Sequence, residues 1–281
     1  MQHTDPTEVV DDIESRSQPM TPIAAKHSVI ITVYNSESTI GLVLEQLKAI
    51  TGAETEVIIV DDGSTDNTVK EIENFKLDSV NLISPGKIGR AKALNLALHH
   101  STGETIFIND ADDVSTPARF QASVEMLKEC EVVFGHANLV TDVSQYSVQQ
   151  LNDQTEDSTD SSTETVTAAL LYKTNPLTHS TMAIKRDLLL RLGGYDESLD
   201  VCVDLDLYFR ALVAGSVMRC SGTTFISRTS GSTRKFASFP SERYFDTLLS
   251  VRSKYRNKLK PPLRRYAYDL RLVFQKFLAK R

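Results

Sequence analysis

Four short runs rich in β-branched residues set the strongest constraint on the fold: "SVIITVY" (Ser28 to Tyr34), "EVIIV" (Glu56 to Val60), "VNLIS" (Val80 to Ser84) and "ETIFI" (Glu104 to Ile108). Between them, apolar residues recur at helical spacing, first at Ile40, Val43, Leu44 and Leu47, then at Val69 and Ile72, then at Ala93, Leu94, Ala97 and Leu98. Strands that are apolar on both faces and alternate with helices predict a mostly parallel sheet flanked by helices, an α/β domain. Ligands in such folds gather at the carboxyl ends of the strands. Each run ends in a polar cluster: Asn35 to Glu37, Asp61 to Thr65, Pro85 to Lys87 and Asp110 to Asp113. All four clusters are therefore expected along one edge of the sheet.

The remainder of the chain frames this domain. Residues 1–26 are polar, acidic and punctuated by proline, and they predict a disordered tail. The α/β domain is placed at residues 27–235, and a basic amphipathic helical extension at residues 236–281. With 281 residues and a net charge of -6, the chain lacks the basic footprint of a nucleic-acid binder. No apolar run approaches the ~18 residues of a membrane span, and an acidic N-terminus is unlike a basic signal-peptide start. A cytoplasmic location is the expectation. Cys130, Cys202 and Cys220 are odd in number with no C-x-x-C spacing, which predicts neither a disulfide framework nor a zinc knuckle.

Further along, "STPARF" predicts a helix to about Cys130, with Thr116 as N-cap and Pro117 at the first helical position. Val132 to Val140 reads as the next strand. Residues 141–165 hold six acidic and no basic side chains among many Ser, Thr and Gln, the composition of a long mobile loop, either a solvated insertion or a lid. "RDLLLRLGGYDE" predicts a short helix stopped by Gly193, and "VDLDLYFRALVAG" a second ending near Gly215. From Glu242 onward, twelve Lys or Arg face three acidic residues, and two amphipathic helices are expected, broken at Pro261 and Pro262.

The chemistry centres on carboxylates at strand ends. Two carboxylates about 4 Å apart repel by roughly 4 kcal/mol at an effective dielectric near 20, yet "INDADD" sets Asp110, Asp112 and Asp113 together. A hard divalent cation would satisfy them. Helix capping by Asp112 or Asp113 is the alternative. In "VDDGSTDNT" a well-made turn accounts for Gly63, Ser64 and Asp66, with Ser64 or Thr65 as cap, but not for two consecutive aspartates at the strand tip.

Taken together, "SVIITVYNSESTI", "EVIIVDDGSTDNT", "GKIGRAKALNLAL", "INDADD", "THSTMAIKRDLLLRLGGYDE" and "VDLDLYFRAL" resemble, in order and near spacing, the family 2 glycosyltransferases of the GT-A (Rossmann-like) fold. The resemblance covers roughly Ser28 to Arg228 and lies in the combination; no single piece is specific. It implies that Thr32 and Tyr34 meet a nucleotide base, with Glu37 near the ribose. It implies that Asp62 contacts a uracil edge, Asp61 being structural or near the ribose. Lys87 falls on the nucleotide side. Asp110 and Asp112 resemble the D-x-D motif: Asp112 holds a divalent metal, Mn²⁺ or Mg²⁺, that bridges the diphosphate, and Asp110 contacts ribose or metal-bound water. Asp113 faces the donor sugar.

By the same resemblance Asp204 stands where the family's catalytic base stands, although Val203 replaces the usual Glu of its "ED" pair. Asp204 and Asp206, two apart on a helix, do not share a face, and Asp206 is expected at the surface. His179 matches a position that touches phosphate or metal, with a structural histidine as the alternative. Leu94 replaces an Arg common in relatives. Lys87, Arg90 and Lys92 offer compensation, or Arg90 and Lys92 solvate a helix face. Arg228 and Ser232 map to a flexible loop that closes over the diphosphate.

The implied activity is inverting transfer of a hexose or N-acetylhexosamine from a nucleotide sugar, a UDP-sugar by expectation, to a saccharide hydroxyl in bacterial surface-polysaccharide assembly. A lipid-linked acceptor would bring the basic C-terminal helices to an anionic membrane; packing on the domain or dimerisation is the alternative. A non-catalytic nucleotide-sugar-binding subunit and a polyprenyl-phosphate sugar synthase are the competing readings.

Overall fold

The computed structural model describes residues 26–75, 79–155, 160, 162–173, 175–230 and 241–259. The acidic tail expected at residues 1–26, but for Lys26, and the second C-terminal helix lie outside them. The first half alternates as its periodicity demands. β1 (His27–Val33), β2 (Thr55–Asp61), β3 (Val80–Ile83) and β4 (Thr105–Asp110) are separated by α1 (Ile40–Ile50), α2 (Thr68–Asn74) and α3 (Arg90–His100). These strands pair in parallel in the order β3-β2-β1-β4. Both faces are covered because successive side chains point to opposite sides. Val29, Ile31 and Val33 of β1 pack with Val43, Leu44 and Leu47 of α1. Ile30 packs with Ala93, Leu94 and Ala97 of α3 on the other face.

The second half adds β5 (Asp113–Ser115), α4 (Ala118–Met126), β6 (Val132–Val140), α5 (Val148–Asp153), β7 (Thr163–Thr165), α6 (Ala168–Lys173), β8 (Ala183–Lys185), α7 (Arg186–Arg191), α8 (Val203–Val213), β9 (Met218–Thr229) and α9 (Ser241–Leu259). The sheet continues β4-β8-β6-β9-β5, with β7 also on β9. β8 is antiparallel to β4 and β6, β6 is parallel to β9, and β5 and β7 are antiparallel to β9. The sheet is thus parallel through β3-β2-β1-β4 and mixed beyond it, with helices on both faces.

The order implies strong curvature. Asp110 ends β4 and Asp113 begins β5, yet β8, β6 and β9 lie between those strands in the ladder. Four flat strand spacings of about 4.8 Å come to roughly 19 Å, while three residues of chain reach at most roughly 11 Å. The sheet must curl until β5 returns beside the tip of β4. Register shifts around Phe134, His136 and Ala137 supply part of that bend. Gly135 sits at this bulge because a Cβ there would lie 2.3 Å from the ring of Phe225.

Three sequence expectations need correction. Residues 141–165 are not one long loop: a 3-10 turn at Val143–Gln145, α5 and β7 lie within them. Val143 and Leu151 bury their side chains, and Ser147 and Gln150 form a capping box at the start of α5. Thr116 does not cap α4; Pro117 is already helical, and the Thr116 hydroxyl donates to the Thr224 carbonyl at 2.8 Å, tying the helix start to β9. Ser64 and Thr65 do not cap α2, whose N-cap position is Asn67. The Ser64 hydroxyl instead accepts the Asn35 N–H at 2.9 Å. Cys130 is buried and the other two cysteines half-buried, all three as free thiols.

α9 packs on α8, so the first C-terminal helix belongs to the domain. Tyr172 of α6 donates its hydroxyl to the Arg252 carbonyl at 2.9 Å, and Arg252 donates to the Leu171 carbonyl at 3.2 Å. Among the described residues no helix is long and apolar enough to cross a membrane.

Candidate active site

The polar ends of β1, β2 and β4 lie together because these strands are parallel and in register, Thr32 opposite both Val60 and Asp110. Past β4 the chain turns through Ala111 and Asp112 into β5, and α4 starts only at Ala118, so neither Asp112 nor Asp113 caps a helix. One carboxylate oxygen from each of Asp110, Asp112 and Asp113 lies within 4.8 Å of the others.

Three arginines answer this concentration of charge. Arg90 donates Nη2 to Oδ1 of Asp110 at 2.5 Å. Arg228 places Nε 3.3 Å from Oδ1 of Asp113, whose other oxygen accepts the hydroxyl of Ser180. Arg119 lies under the turn with no exposed surface. Its Nη1 donates to Oδ1 of Asn109 at 2.7 Å and to Oγ of Ser115 at 2.8 Å, and its Nη2 to the Ile108 carbonyl at 2.5 Å. Asn109 passes the restraint on, donating Nδ2 to the carbonyls of Asp110 and Asp113, each at 2.8 Å.

The balance of charge differs along the turn. Burial alone would raise the Asp110 carboxyl, but the guanidinium of Arg90, with a smaller part from Arg228, outweighs it and holds it below the usual carboxylate range. Burial, followed by the repulsion of Asp110, pushes Asp113 up to about 7 despite Arg228. An all-carboxylate donor set beside a polar cleft suits a hard cation, which needs one or two carboxylates and fills its remaining positions with phosphate and water. Asp110 and Asp112, both half-buried, fit that role. Asp113, 1% exposed, is held by Arg228 and Ser180, so its carboxylate already has protein partners. Arg228, 6% exposed, is part of β9 and not of a flexible loop; the β5–β9 ladder sets it opposite Asp113. Ser232 lies outside the described residues.

At the end of β2, Asp61 accepts the Ser64 N–H at 3.0 Å and closes the turn. Asp62 accepts the N–H groups of Ile88 and Gly89, each at 2.7 Å, and Nζ of Lys87 at 2.9 Å, so it ties the strand tip to the segment leading into α3. A carboxylate offers about four lone-pair sites, which leaves one for a ligand. Gly63 is required here: φ is +79°, and a Cβ would come within 2.9 Å of the Lys87 nitrogen. Lys87 Nζ stands 3.5 Å from the ring centre of Tyr34, itself 42% exposed. Thr32 receives Nη1 of Arg90 at 3.4 Å. Glu37 Oε2 accepts the backbone and side-chain N–H of Asn67 at 2.8 and 2.9 Å and so braces the start of α2.

The opposite wall comes from α8 and the 3-10 turn His179–Thr181. His179 places Nε2 2.9 Å from the hydroxyl of Tyr195 and Nδ1 3.5 Å from Arg90. Burial and then Arg90 lower its pKa to about 4, so it is neutral. Asp204, in the first turn of α8, accepts Nδ2 of Asn175 at 3.1 Å. Asp204 and Asp110 both lie near enough for their charges to act on His179 and Arg90. Cys202, just before α8, has φ +59°, a left-handed conformation unusual for its residue type.

Asp206 is the clearest departure from expectation. It is fully buried, accepting from Arg210 Nε at 2.7 Å, Lys254 Nζ at 2.9 Å and the Tyr255 hydroxyl at 2.6 Å. The sequence separates it from the Asp204 face but gives no sign that α9 covers its own face. Arg119, Asn175 and Tyr195 also escape a sequence reading, and Arg90 is met there only as one of two alternatives. One signal existed: Arg90 and Arg119 lie in first turns of helices, where the dipole disfavours a cation unless a carboxylate compensates. Lys92 is exposed and Leu94 is core, so neither enters the site.

A mixed sheet with a D-x-D turn at the end of a central strand, facing a carboxylate on a later helix, defines the GT-A class of glycosyltransferase. The model of the glycosyl transferase family 2 matches residues 28–193, and the chain belongs to that family. A relative in Escherichia coli, the UDP-Glc:alpha-D-GlcNAc-diphosphoundecaprenol beta-1,3-glucosyltransferase WfgD, is 29% identical over 112 residues, 40% of this chain and 44% of its own. Matches to the first curated relatives span only 33% to 39% of those proteins' lengths. Among solved structures, Staphylococcus aureus TarS residues 1–349 with UDP-GlcNAc superposes with a TM-score of 0.65 at 21% identity, over 88% of this chain and 71% of that one. The mannosyltransferase PcManGT of Pyrobaculum calidifontis, with GDP-Man and Mn²⁺, gives 0.57 at 22% identity, over 92% and 72%.

Proposed function

We propose that this chain is a metal-dependent, inverting glycosyltransferase that moves a hexose or N-acetylhexosamine from a UDP-sugar to a hydroxyl of a saccharide acceptor. The observation that carries the reading is the Asp110–Asp112 turn with Arg90 and His179 beside it and Asp204 near enough to act on both. Asp62, Thr32 and Tyr34 bind the base, the free lone pair of Asp62 taking a ring N–H, and Lys87 and Glu37 border the ribose and phosphates. Asp110 and Asp112 would hold Mn²⁺ or Mg²⁺, which supplies charge stabilisation to the departing diphosphate. Asp204, oriented by Asn175, takes the proton from the acceptor hydroxyl as it attacks the anomeric carbon from the face opposite the leaving group. His179, held neutral, keeps Arg90 turned toward the phosphate side.

UDP and GDP bound to the solved neighbours support a nucleoside-diphosphate donor, and Mn²⁺ in one of them supports the metal. WfgD's lipid-linked acceptor supports an acceptor of that kind, in bacterial surface-polysaccharide assembly. The basic residues beyond Leu259 would then lie against anionic lipid at the inner face of the membrane.

The test is release of UDP from a panel of UDP-sugars with Mn²⁺, Mg²⁺ or EDTA, for wild type beside Asp112→Ala and Asp204→Asn. Metal-dependent release is expected, with Asp112→Ala lowering it by about 10²-fold or more and Asp204→Asn abolishing transfer to acceptor. Wild-type release unaffected by EDTA would reject the metal role. Binding of UDP without release from any donor would favour a non-catalytic subunit.

A further inference from the structure

Asp110 has two claimants. Its Oδ1 accepts Nη2 of Arg90 at 2.5 Å, and the same carboxylate belongs to the three whose oxygens converge within 4.8 Å. A guanidinium and a divalent cation seated on one carboxylate repel each other at close range. Arg90 also places Nη1 3.4 Å from the Thr32 hydroxyl and Nη2 3.5 Å from Nδ1 of His179, both longer than its contact with Asp110. Its side chain keeps 22% of its surface exposed toward the cleft, and its place in the first turn of α3 puts it between the nucleotide end of β1 and the acidic turn. An anion bridged to Asp110 or Asp112 through a metal therefore arrives within reach of this guanidinium.

We propose that Arg90 is an exchangeable counter-ion: it neutralises Asp110 while the site holds neither metal nor donor, and it transfers to the donor's diphosphate when they bind. The inference rests on the nucleotide-sugar reading above. It makes metal and nucleotide binding cooperative, because metal on Asp110 releases the cation the diphosphate needs, and by linkage each ligand strengthens the other equally. It also makes a prediction of two opposite signs. Removing the guanidinium should help metal alone and harm nucleotide alone, whereas a merely structural arginine would weaken both.

The experiment uses the full chain as wild type, Arg90→Gln and Arg90→Lys, each with its melting temperature recorded. Mn²⁺ alone is titrated with paramagnetic resonance of the free ion as readout. UDP and GDP are titrated calorimetrically in EDTA, and again with saturating Mn²⁺. Arg90→Gln should bind Mn²⁺ alone about threefold more tightly and nucleotide in EDTA about tenfold more weakly, with less gain from Mn²⁺. Arg90→Lys, which keeps a cation without the fork, should fall between. Parallel loss of both affinities, or no change in either, overturns the exchange while leaving the donor reading intact. Failure of wild type to bind UDP or GDP under any condition would remove the donor reading and the exchange with it.

Discussion

Truncating Asp206 tests whether α9 is an integral support of the helix that carries Asp204. The carboxylate has no exposed surface and accepts three donors at 2.6–2.9 Å. In Asp206→Ala the Nε of Arg210, whose side chain is 18% exposed and whose Nη1 keeps the Leu192 carbonyl, and the buried Tyr255 hydroxyl each lose this acceptor. Lys254 keeps 49% exposure and can rehydrate, so its share is small. Breaking such a buried pair from one side costs about 3 to 5 kcal/mol, or roughly 6–10 °C in melting temperature for a domain of this size. Asp206→Asn keeps volume and one acceptor and should cost about 2 kcal/mol, and Lys254→Met under about 1 kcal/mol. Urea unfolding followed by circular dichroism gives the energies. Hydrogen exchange should show the α9 amides losing protection ahead of β1 and β4. An alanine variant within about 1 kcal/mol of wild type, or one whose α9 stays protected, would refute the account.

The pKa of His179, lowered to about 4 by burial, makes stability fall on acidification. From pH 6.5 down to about 4 the unfolded chain gains a proton there that the folded chain refuses, so up to roughly 3 kcal/mol is lost across that window. His179→Gln should flatten the urea-derived stability profile between those limits, and an unchanged slope would contradict a buried neutral imidazole. At the C-terminus, Arg264, Arg265, Arg271, Lys276 and Lys280 accompany an apolar set that includes Leu263, Tyr266 and Leu270. Co-sedimentation with phosphatidylglycerol vesicles at low salt should be lost when the chain is cut after Leu259, a cut that spares α9. Equal binding by the shortened chain would remove the membrane reading.

The core of the α/β half was legible because β1, β2 and β4 are buried on both faces and the helices carry apolar stripes, as at Ile30 between Val29 and Ile31. The strand Val132–Val140 and the helix ahead of Gly193 were equally plain, since local composition decides them. What escaped depends on partners distant in sequence. Asp206 reads as a surface residue of an amphipathic helix until Lys254 and Tyr255, 48 and 49 positions away, are brought onto it. Asp113 reads as a ligand until β9 delivers Arg228. Arg90 reads equally as a compensating cation or as a solvated residue of a helix face until β4 puts Asp110 beside it. Asp61, Asp62, Asp110 and Asp112 were visible as candidates because adjacent carboxylates at strand ends are costly enough to need a reason, and Asp204 through its likeness to the family's catalytic position.

The curl of the sheet also bears on how the acidic motif is spaced. Asp110 closes β4 and Asp113 opens β5, on opposite sides of a loop of hydrogen-bonded strands that runs through β8, β6 and β9. The two intervening residues are the shortest link in that loop, and Thr39 and Asn109 fasten it through the Ala111, Asp110 and Asp113 carbonyls. One inserted residue would slacken the closure and slip β5 against β9, turning Asp113 away from Arg228. The interval between these aspartates is thus a tailored length of chain as much as a chemical signature: the fold would hold it even if nothing were ever bound there.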